Sequence, residues 1–148
     1  LSLHDALPIL TDDDIVPKVR IDQRMPLNKI NYEMIHELEL LEPFGKGNST
    51  PLLAEKNIAV LRIDILGKNA NTLKIKCVMP GANKTIDGIC FNRVEEFIEI
   101  LKDRYGEDHM GYLNNPRGMK LDLIFSPQIN EYNGYKSIQL KILEFKLS

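Results

Sequence analysis

Five lysines and three aromatic rings in this sequence stand where they could share one kind of chemistry. Lys68, Lys74, Lys76 and Lys84 lie within one stretch, and Phe91, Tyr132, Tyr135 and Lys136 follow on later alternating runs. A single-stranded nucleic acid exposes a chain of phosphates and the flat faces of its bases. Holding it takes cations spaced along a groove and rings on which bases can stack. The net charge of -2 hides a basic band: residues 56–93 hold seven Lys and Arg against two Asp and Glu, residues 1–55 hold five against ten, and residues 94–148 hold seven against nine. That asymmetry is expected where one face meets an anion. Blander readings stand beside it. The alternating lysines could be the solvated side of half-buried strands, and Phe91 could pack beneath the segment that follows. Tyr132 and Tyr135 flank Asn133-Gly134 and could simply brace a hairpin.

Catalysis finds little footing. Asp12, Asp13 and Asp14 form a run of carboxylates with no histidine set beside it, which reads as a solvated segment rather than a metal site. His4, His36 and His109 are scattered, and no serine, histidine and acid arrangement can be argued from them. Gly45-Lys46-Gly47 lacks the strand-to-helix setting and the Lys-Ser/Thr ending of a phosphate loop. The chain is therefore expected to carry no catalytic residue and no metal ligand of its own. Cys77 and Cys90 sit singly in apolar alternating runs, as buried free thiols do, which points to a reducing cytoplasm. No apolar run approaches the ~20 residues of a membrane helix. The chain begins at Leu1, and its opening residues lack the basic start and apolar stretch of a signal peptide. It reads as a fragment whose residues 1–9 are foreign or disordered.

The elements that must position these residues follow from periodicity. Residues 15–21 suggest an edge strand or linker because Pro17 removes a ladder donor. From Asn31, a good N-cap, the positions Met34, Ile35, Leu38 and Leu41 predict a short amphipathic helix ending at Pro43, with an acidic outer face. Three strands with two-residue alternation come next. Over 57–65, Ala59, Leu61, Ile63 and Ile65 are expected to share the inner face. Over 72–78, Leu73, Ile75 and Cys77 oppose Lys74 and Lys76, and over 84–91, Ile86, Gly88 and Cys90 oppose Thr85, Asp87 and Ile89. Asn92 with Glu95 suggests a capping box for a helix carrying Val94, Phe97, Ile98, Leu101 and Tyr105 on one stripe up to Gly106. A long polar connection then leads to two strands, 119–125 and 135–145, turning at Asn133-Gly134.

Three strands, a helix and two strands is the element order of the OB barrel, a mainly β, five-stranded fold. Here residues 10–42 would be a linker strand and helix leading into a barrel over residues 43–148. Such barrels commonly bind oligonucleotides on the face of their second and third strands and through two flanking loops. Those places hold Lys74, Lys76 and Phe91, the turn at Lys68, and the hairpin around Tyr132, Tyr135 and Lys136.

Two motifs add a resemblance. Leu40-Leu41-Glu42-Pro43-Phe44-Gly45-Lys46-Gly47-Asn48 followed by Pro51 resembles the helix end and PFGxGN signature of the OB domain of RecJ exonucleases. Asn130-Glu131-Tyr132-Asn133-Gly134 followed by Gln139-Leu140 is similar to that domain's last hairpin. Ser49 departs from the proline usual after the Gly-Asn pair. The resemblance covers roughly residues 10–148 and implies a domain of a 5'-to-3' single-stranded-DNA exonuclease of the DHH phosphoesterase superfamily, acting in bacterial recombination and repair. It also implies manganese or magnesium in a separate N-terminal catalytic domain, whose Asp-His-His motif is absent here. The expected partners are single-stranded DNA, the rest of the parent enzyme and single-strand-binding protein. The alternative is a structural or protein-interaction barrel that packs on the catalytic core and recruits repair partners. An RNA-binding OB module would share the barrel but not the first motif.

Overall fold

The computed structural model describes residues 23–40, 52–81 and 83–148. The run at 15–21, the segment 1–9 and the loop of Pro43, Phe44, Gly45, Gly47 and Asn48 lie outside the described residues.

Five strands close on themselves. β1 (Gln23–Arg24), a 3-10 turn (Leu27–Lys29) and helix α1 (Tyr32–Leu40) precede them, and the Asn31 side chain accepts the Met34 N–H at 2.8 Å as the expected cap. β2 (Leu53–Leu66), β3 (Thr72–Met79) and β4 (Lys84–Phe91) form an antiparallel meander. Helix α2 (Val94–Tyr105), a 3-10 turn (Gly106–Asp108) and the short helix α3 (His109–Asn114) lead to β5 (Lys120–Tyr132) and β6 (Tyr135–Leu147). β6 runs parallel to β4 and antiparallel to β5, and β5 pairs back onto β2, giving the cyclic order β2-β3-β4-β6-β5. This is the OB topology, and the short seam of Asp87–Ile89 on Gln139–Lys141 closes the ring.

Alternation fills the interior. Leu73, Ile75 and Cys77 of β3, Ile86 and Cys90 of β4, Leu121, Leu123 and Phe125 of β5, and Leu140 and Ile142 of β6 are all buried. Helix α2 closes one end with Val94, Phe97 and Leu101, and the Phe97 and Phe145 rings meet edge to face at 5.5 Å. Burying its apolar stripe is what holds this 12-residue helix, since isolated helices of that length are marginal. Gly88 lets β4 and β6 close together: a Cβ there would lie 2.6 Å from Ile142 Cδ1. The N-terminal elements belong to the same body. β1 pairs parallel with β2, α1 packs against β5, and Arg24 reaches Glu55 at 2.7 Å.

Four expectations change. Leu61 is exposed while Val60 and Ile63 are buried, because a register shift between Val60 and Arg62 inserts a residue and swaps the faces. The capping box at Asn92 does not form. Asn92 adopts φ 59 and bonds Asn71, and α2 starts one residue later, with Arg93 at its cap. The stretch before β5 is helical in part, since Leu113 buries one side of α3 and Tyr112 stacks on Tyr105 at 3.8 Å. Strands β2, β5 and β6 also run past the expected ends.

Candidate nucleic-acid interface

The β3–β4 register fixes which side chains share the outer face. Inward Leu73, Ile75 and Cys77 force Lys74 and Lys76 outward, and the pairs Thr72 with Phe91, Lys74 with Ile89 and Lys76 with Asp87 lie side by side. On one flank β2 brings Asp64 beside Lys74 and Arg62 beside Lys76. On the other, β6 brings Lys141 beside Ile89 and Gln139 beside Asp87. Phe91 is 55% exposed. Packing beneath the following helix is thereby overturned, because Cys90 occupies the inward position and turns its neighbour out.

The ends of this face hold the other expected residues. Lys68 is exposed in the β2–β3 turn, next to the Phe91 end, where the Asn92 N–H donates to Asn71 O at 2.7 Å. At the opposite end Lys84 is exposed at the start of β4, and the β4–β6 register carries the β5–β6 hairpin toward it. Tyr132 and Tyr135 pair across the hairpin tip and are 72% and 80% exposed. Asn133 at φ 51 and Gly134 at φ 83 make the type I′ turn that an Asn-Gly pair favours. Lys136 stands opposite Glu131, and Asn130 opposite Ser137, on the same exposed shaft. Gln139 sits at the β4–β6 seam. The eight expected residues are thus not one cluster: Lys74 and Lys76 occupy the middle, Lys68 and Phe91 one end, and Lys84, Tyr132, Tyr135 and Lys136 the other.

Sequence reading missed Arg62 and Lys141, which flank the lysines. Lys141 was visible as the polar position between Leu140 and Ile142. Its place beside β4 depends on a parallel pairing between segments some fifty residues apart, which no local pattern reveals. Arg62 was read on the correct side, but the bulge beside it was not foreseen.

Charges on the face alternate. Lys74 Nζ lies 3.7 Å from Asp87 Oδ2, and Arg62 Nε 3.1 Å from Asp64 Oδ1. Lys76 makes no ion pair among the described residues. Such a surface can meet a phosphate chain through its cations and a base through the Phe91 ring. No group of three or more His, Cys, Asp or Glu able to hold a metal occurs among the described residues. Burial, the largest cause in each case, pushes the Cys77 thiol up to about 12 and that of Cys90 to about 11. Both are free, buried thiols. No helix among the described residues is long and apolar enough to cross a membrane.

The sequence profile described as the RecJ OB domain matches residues 21–144. The chain belongs to the RecJ OB domain family. The single-stranded-DNA-specific exonuclease RecJ of Bacillus subtilis (strain 168) is 28% identical to it over 139 residues, covering 94% of this chain and 16% of that protein. The chain thus spans about a sixth of the length of that relative. The family match takes in β1, α1 and nearly all of the barrel, including the face of Lys74 and Lys76.

Proposed function

We propose that this RecJ OB domain holds single-stranded DNA for a 5'-to-3' exonuclease that acts in DNA repair and recombination. The observation that carries the reading is the outer face of β3 and β4, where Lys74 and Lys76 stand in the middle, the exposed Phe91 and Lys68 at one end, and Tyr132 and Tyr135 toward the other. Phosphates would run along the lysines while bases stack on the rings, a hold tolerant of sequence because every base has a flat face. The name of the Bacillus subtilis relative supports this choice of ligand. Phosphodiester cleavage, with its manganese or magnesium, would belong to other domains of the parent enzyme. Two buried thiols without a disulfide suit a cytoplasmic setting.

Anisotropy of a labelled single-stranded oligonucleotide, titrated with the 148-residue chain at several salt concentrations, tests the proposal. Salt-sensitive binding that weakens in Lys74→Ala/Lys76→Ala is expected. Binding without salt dependence, or unchanged by the double substitution, would count against it.

A second reading has its own observation. Glu95, Glu96, Glu99 and Asp103 outnumber Lys102 and Arg104 on the exposed side of α2, and this mixed surface with an acidic excess suits a protein partner better than DNA. Retention of single-strand-binding protein by a chain with no DNA affinity would favour that role.

A further inference from the structure

Between residues 56 and 93 the sequence holds only two acidic residues, Asp64 and Asp87, and the barrel brings both onto the face that carries Lys74 and Lys76. Their placement is specific. Asp64 is the register partner of Lys74 and bonds Arg62. Asp87 is the register partner of Lys76, and its carboxylate reaches diagonally to the Lys74 ammonium at 3.7 Å. Asp87 has no other side-chain bond among the described residues, and its side chain is 35% exposed, so the described fold does not require a carboxylate there. An asparagine would fit the same outward position.

We infer that Asp87 is an internal competitor for the phosphate chain, holding Lys74 when no strand is present and setting how tightly the face grips. This rests on the reading of the face as the strand-binding surface. A phosphate can gain Lys74 only by displacing Asp87, and a lysine already neutralised by a carboxylate releases fewer counterions when the phosphate arrives. The hold is therefore weaker, and less salt-dependent, than its cations alone would give. A shallow grip suits a strand that must advance along the protein, and Lys76, without an ion pair among the described residues, remains the first point of attachment.

The test is a salt-dependent anisotropy titration of a labelled oligothymidine with the wild-type chain, Asp87→Asn, Lys74→Ala and Lys74→Ala/Asp87→Asn. Thermal melting of each by circular dichroism verifies the fold. Asp87→Asn is expected to bind roughly two- to five-fold tighter at low salt, the range of an exposed ion pair. Its log–log salt slope should steepen by about 0.7, one more phosphate neutralised on a single strand. Both gains should vanish in the Lys74→Ala background. If Lys74→Ala weakens binding while Asp87→Asn changes nothing, the inference is overturned and the strand-binding reading stands. An equal gain in the Lys74→Ala background also overturns it, since Asp87 would then repel the strand at large. If the wild-type chain and Asp87→Asn both bind nothing, the strand-binding reading fails and the inference falls with it.

Discussion

The guanidinium of Arg93 stands 4.6 Å from the centroid of the Phe145 ring, and through it the start of α2 is fastened to β6. The same group donates to Leu143 O, bonds Glu96 and pairs with Glu144 at 3.1 Å. Arg93 also takes the cap position that Asn92 vacates.

Replacing Arg93 with alanine removes a cation–π contact and two ion pairs and leaves the Leu143 carbonyl without this donor, so a loss of about 2 kcal/mol is expected in urea unfolding. Arg93→Lys should recover less than half, because an ammonium cannot reproduce the planar fork. The hydrogen bond from Arg93 holds the Glu96 carboxyl below its ordinary range. That part of the stability is present above the ordinary carboxylate value and is lost as pH falls through the folded one. The acid limb of the stability profile should accordingly be flatter in Arg93→Ala than in wild type.

At Gly88 the prediction concerns space. A methyl group there would press on Ile142 Cδ1 at 2.6 Å and Cγ1 at 3.2 Å, in the seam where β4 meets β6. Gly88→Ala should cost about 1–3 kcal/mol, as overpacking of a filled core does. Adding Ile142→Val removes the nearest atom, so the pair should be less destabilised than the sum of the single changes, by at least about 0.5 kcal/mol in a double-mutant cycle. Strict additivity in chemical denaturation would show that the strands part rather than press together.

What the sequence makes legible here is what depends on local period. Lys74, Lys76, Ile75 and Cys77 could be assigned to faces because β3 alternates without interruption, and Asn133-Gly134 could be assigned to a turn because few residues tolerate two consecutive positive φ values. Leu61 was misplaced because a bulge inserts one residue and reverses the phase, and a bulge leaves no periodic trace. Phe91 was ambiguous because the last residue of a strand can turn toward the helix or away from it. Only the depth at which Cys90 is buried decides. Asp64 bonds Arg62 within β2, but its place beside Lys74 and the Asp87–Lys74 pair both depend on neighbouring strands, so a basic band in the sequence becomes an alternating one on the surface.

The two thiols give an alkaline signature. Cys77 and Cys90 are raised by burial from 9.0 to about 12 and about 11. The folded chain keeps both protons while the unfolded chain releases them, so the unfolded state binds fewer protons and stability falls as pH rises from 9.0 toward those values. Cys77→Ala/Cys90→Ala should lose stability less steeply than wild type between pH 9 and 11, although its cavities lower the curve as a whole. In wild type a thiol-specific chromogenic reagent at pH 8 should label neither cysteine until denaturant is added, and prompt labelling of the native chain would contradict the burial of both.

Phe91 separates a ring kept for packing from one kept for a ligand. At 55% exposure beside Thr72, it contributes little to the core, so Phe91→Ala should change the unfolding free energy by less than about 0.5 kcal/mol. If a base stacks on it, the same substitution should cost about 1–3 kcal/mol in oligonucleotide affinity and leave the salt slope unchanged, because stacking releases no counterion. Lys76→Ala should do the reverse, flattening the slope by about 0.7 whatever the sequence of the strand. Phe91→Leu divides the cases further: a greasy surface would accept it, whereas a stacking platform would not. Measured on one oligothymidine, an Ala-like loss in Phe91→Leu with unchanged melting identifies the platform, and full retention of affinity in Phe91→Leu rules it out.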